Sequence, residues 1–211
     1  MKKQLIAIIA LSFLISSNTY LKNEVKDNLP EKVIVANDST AAKEFWKNLK
    51  ALNGKAFEGQ LVSAPANDDF VGKKLVMHVL FTDDETILIP FNVGDNRSRT
   101  WILKYKNGSI ELKHDHRHED GTHDKVTMYG GTTTNSGTPN MQVFPADQET
   151  ASVIPAAFSN AWWITIDSTS YTYNLRRLGS DRVFTVSFDF TKVVEVPKPS
   201  WGWEDFRKVK Y

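Results

Sequence analysis

The sequence predicts an all-β protein: a single antiparallel up-and-down β-barrel of about ten strands, preceded by an N-terminal helix. Three observations carry that expectation. From Gly54 to about residue 190 the apolar residues recur with a period of two, as they do in half-buried strands. Short turn signals separate most of these segments, namely Asp83-Asp84-Glu85, Asn107-Gly108, Ser168-Thr169 and Gly179-Ser180, so most connections read as tight hairpins. Hairpins drawn from those turns agree on one inner row of side chains. Short, evenly spaced strands joined this way bury their apolar face most simply by closing into a barrel.

The N-terminal residues form no part of that pattern. Lys2 and Lys3 precede an apolar run from Leu5 to Ile15, interrupted by Ser12, and then come Ser16, Ser17, Asn18 and Thr19. This is the layout of a secretory signal peptide, and the run is shorter than the ~20 residues of a membrane helix. Residues 1–19 are therefore expected to be a leader, the protein secreted or periplasmic, and no stable membrane span to remain after cleavage. Residues 20–40, with Leu29-Pro30 and Val33-Ile34-Val35, read as a mobile lead-in.

The domain proper is expected over 41–196. Ser39 or Thr40 can cap a helix over 41–52 with Phe45, Trp46, Leu49 and Leu52 on one face. Asn53-Gly54 supplies the stop, because both residues tolerate the left-handed conformation that ends helices. Strands follow at about 56–63, 73–82, 86–93, 98–106, 109–118, 124–130, 141–145, 161–167, 170–178 and 182–190. Between Gln148 and Phe158 there is room for a short helix. An aromatic tail over 197–211, with Trp201, Trp203 and Phe206, is expected to pack back on the barrel.

Composition excludes several classes. The 211 residues contain no cysteine, and 26 Lys and Arg stand against 25 Asp and Glu. No disulfide framework, thiolate metal site or thiol nucleophile is available. Near-neutral charge argues against a nucleic-acid partner, which would call for a clear basic excess. An exported domain without disulfides must take its stability from its core.

Chemistry is visible in one place. Asn107-Gly108 favours a two-residue type I′ turn, which pairs Tyr105 with Ile110, Leu103 with Leu112, Trp101 with His114, Arg99 with His116 and Arg97 with His118. This row is apolar near the turn and turns cationic and imidazole-rich at its far end, so it is the inner face. The opposite row, Lys104 with Glu111, Ile102 with Lys113 and Thr100 with Asp115, reads as salt-bridged and solvent-facing. The later hairpins pair Ile166 with Tyr171, Ile164 with Tyr173 and Trp162 with Leu175. They also pair Leu175 with Phe184, Tyr173 with Val186 and Tyr171 with Phe188. The two sets share one inner row without conflict. Tyr171 and Tyr173 then carry hydroxyls into the interior, where each needs a partner.

The inner row suggests two uses. Arg97, Arg99, His114, His116 and His118, walled by Trp101, Tyr171 and Tyr173, suit a small anionic or amphipathic ligand, because guanidinium binds carboxylate and phosphate bidentately. Alternatively, His114, His116 and His118 share a strand face and could hold zinc or another divalent transition metal, with His123, Asp120 or His78 completing the set. The facing arginines oppose that cation. Such a metal site would support hydrolysis. Without metal, His116 or His118 could act as an acid or base in an isomerase, an arginine neighbour keeping the imidazole neutral. A third reading is a fully packed envelope protein that is not an enzyme. Gly130-Gly131 marks a bend or bulge at the barrel rim, and Arg176-Arg177 a solvated strand end.

The stretches LNGKAFEG from Leu52, PFNVGDNRSRTW from Pro90, LKHDHRHEDG from Leu112 and MYGG from Met128 resemble those of an uncharacterised family of secreted bacterial proteins. That resemblance implies export and a shared barrel, and no activity. More loosely, a short helix before Gly54-Lys55-Ala56-Phe57 is similar to the opening of the calycin superfamily, the lipocalins and fatty-acid-binding proteins. It implies a ligand-binding barrel, and the protein is expected to be a monomer that takes a small-molecule ligand in an interior pocket of ~300–1,000 Å³.

Overall fold

The structure, a computed structural model, describes residues 39–209. The expected leader, nearly all of the lead-in and the last two residues of the tail lie outside the described residues. Helix α1 (Ser39–Lys50) ends two residues earlier than expected. Gly54, at φ +76°, turns the chain back and donates its N–H to Val79 O. Ala42, Phe45, Trp46 and Leu49 of α1 are buried in the main core, which is the apolar face read from the sequence.

The strands are β1 (Ala56–Ser63), β2 (Leu75–His78), β3 (Phe81–Thr82), β4 (Thr86–Val93), β5 (Asn96–Lys106), β6 (Ser109–His116), β7 (Tyr129–Thr132), β8 (Met141–Pro145), β9 (Asn160–Ile166), β10 (Ser170–Arg177) and β11 (Val183–Val194). Their order along the sheet is β7-β6-β5-β4-β2-β1-β11-β10-β9-β8, with short β3 attached to β4 alone. The last strand pairs with the first. The result is the expected antiparallel meander, a nearly closed barrel of ten strands.

Asn107 and Gly108 both have positive φ, 54° and 83°, as a type I′ turn requires. The β5–β6 pairs follow as expected from Tyr105↔Ile110 to Arg99↔His116. The Ser168-Thr169 and Gly179-Ser180 hairpins also take the expected registers.

The remaining seam lies between β7 and β8, which share no ladder. Glycine closes it. A Cβ on Gly131 would stand 1.8 Å from Pro145 O, and one on Gly130 1.8 Å from Leu112 O, so the pair marks a close approach of backbones rather than a rim bend. Helix α2 (Gln148–Val153) lies across this seam: Thr150 Oγ1 donates to Gly130 O at 2.8 Å and accepts from Gly130 N at 2.6 Å. Lys113 on β6 reaches the helix too, with Nζ 2.8 Å from Asp147 Oδ2 and 2.5 Å from Glu149 Oε2.

Three expected strands differ. The strand expected over 73–82 divides into β2 and β3, because Val79 N turns to Lys55 O and Leu80 N to Leu88 O. The strand expected over 124–130 begins only at Tyr129, after Met128 bends the chain at φ 57°. Strand β6 stops at His116 instead of 118. There Arg117 N bonds Ser98 O, His118 N bonds Thr122 O, and Gly121 takes φ +83° in a tight turn. The expected Arg97–His118 pair therefore does not form.

The second row of β5 and β6 corrects the sequence reading. Thr100, Ile102, Lys113, Asp115 and Arg117 are all buried. The tail packs across this outer face and builds a second small core from Leu88, Ile102 and Trp203, flanked by Phe81, Met128 and Phe206. Trp203 is fully buried and its Nε1 donates to Asp115 Oδ2 at 2.7 Å. Arg117 stands 4.9 Å from the Trp203 ring centroid and gives Nε to the same carboxylate oxygen at 2.7 Å.

Candidate functional site

Helix α1 plugs one end of the barrel. Trp46 meets the Tyr105 ring at 5.6 Å and donates Nε1 to Asp83 O. Inside, the aromatic rows fill the lumen: Trp101 lies 4.7 Å from Phe91 and 4.4 Å from Tyr173, both stacked, and Phe188 and Tyr171 close on the same group. The roomy interior expected of a ligand barrel is thus occupied by packed side chains, as small barrels and dense protein cores allow.

What remains is a cavity of about 60 Å³ at the end opposite α1. Arg99, His116, Tyr129 and Tyr173 supply polar groups to it, and Phe70, Phe91 and Trp101 its apolar wall; His114 and Thr100 also border it. That volume accepts a carboxylate or a small oxyanion, but not the body of a larger molecule.

The hydrogen bonds here define protonation states. His114 is buried, with Nδ1 2.9 Å from the carbonyl of Tyr129 and Nε2 2.6 Å from Tyr173 Oη. A carbonyl only accepts, so the Nδ1–H tautomer is present and the Tyr173 hydroxyl donates to Nε2. Burial pushes the His114 pKa down to about 3. His116, with Nε2 3.1 Å from Tyr129 Oη, is pushed down to about 4 by burial and then by the Arg99 charge. Burial raises Tyr129 to about 12 and moves Tyr173 upward as well. The imidazoles are therefore neutral and the phenols protonated at neutral pH, and Arg99 carries the formal charge of this pocket.

Arg99 is half-buried and stands opposite His116 on β5. Its Nη1 donates to Asn96 Oδ1 at 3.1 Å and Ser98 Oγ at 3.3 Å, and its guanidinium lies 5.1 Å from the Phe70 ring centroid. It makes no ion pair with any carboxylate among the described residues. Burial costs it part of its hold on the proton, with the nearby Asp69 and Asp68 acting in the opposite sense.

The other residues singled out from sequence are dispersed. Arg97 leaves the inner face and donates Nη1 to Pro199 O at 2.6 Å, serving the tail. Tyr171 is buried beside Trp101 and Phe188, away from the cavity, and its hydroxyl finds no partner among the described residues. His118 is exposed beyond the end of β6. His123 sits on the outer side, with Nδ1 3.2 Å from Asp115 Oδ1. Asp120 is exposed and accepts from Thr122 N and Oγ1. His78 lies on β2, with β4 and β5 between it and β6. His114, His116 and His118 thus do not converge, and no group of three or more His, Asp or Glu among the described residues is arranged to hold a metal ion.

Four pocket residues escaped the sequence reading: Phe70, Phe91, Thr100 and Tyr129. Tyr129 was hidden because the register of 124–130 could not be set without the Met128 bend. Phe70 is a lone aromatic in the polar run Asn67-Asp68-Asp69, and that isolation was its only signal.

Fold and site together define an antiparallel barrel with a plugged end, a packed lumen and a small cationic pocket at its other end. No family model, curated protein or solved structure matches the chain.

Proposed function

We propose that this protein is an exported, calycin-like barrel that binds a small anion, or the anionic head of a larger molecule, at Arg99. The observation that carries this reading is the guanidinium itself. A half-buried positive charge with no ion pair among the described residues loses solvation that hydrogen bonds to Asn96 and Ser98 replace only in part, and beside it lies a cavity of carboxylate size. His116 and Tyr129 flank that space as neutral hydrogen-bonding groups, which leaves Arg99 as its charged group. The packed lumen supports a second reading, a barrel whose interior is purely structural.

Arg99→Gln separates the two. Titration calorimetry with sodium acetate and with phosphate at low salt is expected to show binding to the native protein, weakened at least tenfold in the variant. That is the scale of losing a charge-assisted hydrogen bond, about 1.5–3 kcal/mol. Urea unfolding is expected to show little change in stability, since the half-buried guanidinium has no ion-pair partner among the described residues to lose. Equal or absent binding in both proteins would sink the anion site and leave the structural barrel.

A further inference from the structure

Phe70 borders two spaces. One is the Arg99 pocket; the other is an open groove of about 730 Å³ on the adjoining surface. Phe70 belongs to the 64–74 connection between β1 and β2. Its ring stacks on Phe91 at 5.8 Å and 8°, meets Phe184 edge-on at 5.0 Å, and lies under the Arg99 guanidinium.

Around Phe70 the hydrogen bonds of this connection are internal to it: Asp68 N to Pro65 O, Val71 N to Asp68 O, Lys73 N to Phe70 O and Phe70 N to Asp68 Oδ1; its last residue, Lys74, is tied to the β4–β5 turn, its carbonyl accepting from Gly94 N. Among the described residues, apart from Ala64 at its start, Phe70 is the side chain of this loop that packs on the main core. Swinging that one ring outward breaks no backbone hydrogen bond to the barrel and uncovers Arg99 toward the groove.

The groove is polar. Gln60 presents its amide, Thr169 and Ser170 present hydroxyl oxygens whose protons go to Asp167, and its two lysines are matched by Glu58 and Asp189. A surface with balanced charge selects for hydroxyls rather than for a second anionic group.

We propose that Phe70 is a gate joining the Arg99 pocket to this groove, and that the ligand it admits is a hydroxylated anion of the sugar-acid type. Its carboxylate reaches Arg99 and its hydroxyls lie along the groove. The proposal rests on the anion reading of Arg99 and goes beyond it by naming the size filter and the ligand class. A closed gate lowers the apparent affinity for a molecule that spans both spaces, and leaves one that fits the pocket alone nearly untouched.

The test titrates acetate, glucuronate and glucose into the native protein, Phe70→Ala, Phe70→Leu, and Phe70→Ala combined with Arg99→Gln. Phe70→Ala is expected to bind glucuronate at least tenfold more tightly than the native protein, with acetate changed less than threefold and glucose bound by neither. The combined variant is expected to lose the gain. Phe70→Leu keeps an apolar plug without the flat ring over Arg99, and an intermediate gain is expected from it even if the alanine variant fails to fold. Unchanged glucuronate affinity on opening, a gain that survives Arg99→Gln, or an equal gain for glucose would each overturn the gate. Failure of the native protein to bind acetate would instead overturn the anion site, and the gate would fall with it.

Discussion

Replacing Trp203 by alanine is expected to destabilise the protein by about 4 kcal/mol, in the range for removing a buried tryptophan. The effect is large because one side chain does three things. The ring fills the outer core against Leu88 and Ile102, the Arg117 guanidinium stacks on it, and its Nε1–H satisfies the fully buried carboxylate of Asp115. With the indole gone, Asp115 keeps Arg117, Thr127 and His123, but loses a donor inside a low-dielectric site, where a missing partner costs most. Trp203→Phe retains most of the packing and removes only the donor, and is expected to cost about 1–3 kcal/mol. Urea unfolding followed by far-UV circular dichroism measures both. A loss below about 1 kcal/mol for the alanine variant would mean that the tail covers the barrel without supporting it.

The second large effect is an acid-side loss of stability. His114 and His116 have folded-state pKa values near 3 and 4 because burial disfavours their charged forms, Arg99 adding to the effect at His116. In the unfolded chain both titrate near 6.5. Between those values the unfolded state binds protons that the fold refuses. Stability is therefore fully present above about pH 6.5 and falls as the pH drops, by up to about 1.4 kcal/mol per pH unit for each histidine. The window from pH 6.5 to 5 lies above the usual carboxylate range, so the imidazoles dominate the slope there. His114→Gln lowers stability at every pH, since Tyr173 Oη and the Tyr129 carbonyl lose their partner, and it is expected to reduce the slope by about a third to a half, the rest coming from His116 and from His78, whose pKa burial also lowers. A slope identical to the native one would mean that His114 is not held neutral by its surroundings. Saturating acetate is expected to flatten the slope as well, because an anion beside Arg99 favours the protonated form of His116.

Much of the barrel was legible because strand register is a local property. The Asn107-Gly108 turn sets each pairing from Lys106↔Ser109 to Arg99↔His116, and the period of two then assigns every side chain to a face. The same reasoning identified Arg99, Trp101, His114, His116 and Tyr173 as neighbours at one end. It went wrong at His118 and Arg97, where extrapolating the strand past its last pair ignored the turn at Gly121. It also misjudged Asp115. In a two-layer picture this charged residue faces solvent, and nothing within a few positions of it announces the tail that covers it.

The amino-acid sequence by itself thus determined the antiparallel meander, the tight-hairpin registers, most of the inner row and the presence of the N-terminal helix, because turn chemistry and hydrophobic periodicity act over a few residues. Only the tertiary structure decided what fills the lumen, how small the remaining pocket is, and that the far row is an interior. Those outcomes rest on contacts between distant positions, such as Trp203 with Asp115, 88 residues apart, and Arg97 with Pro199, 102 apart. The local pattern around either partner carries no record of the other, and the burial that sets the imidazole charges exists only once both are in place.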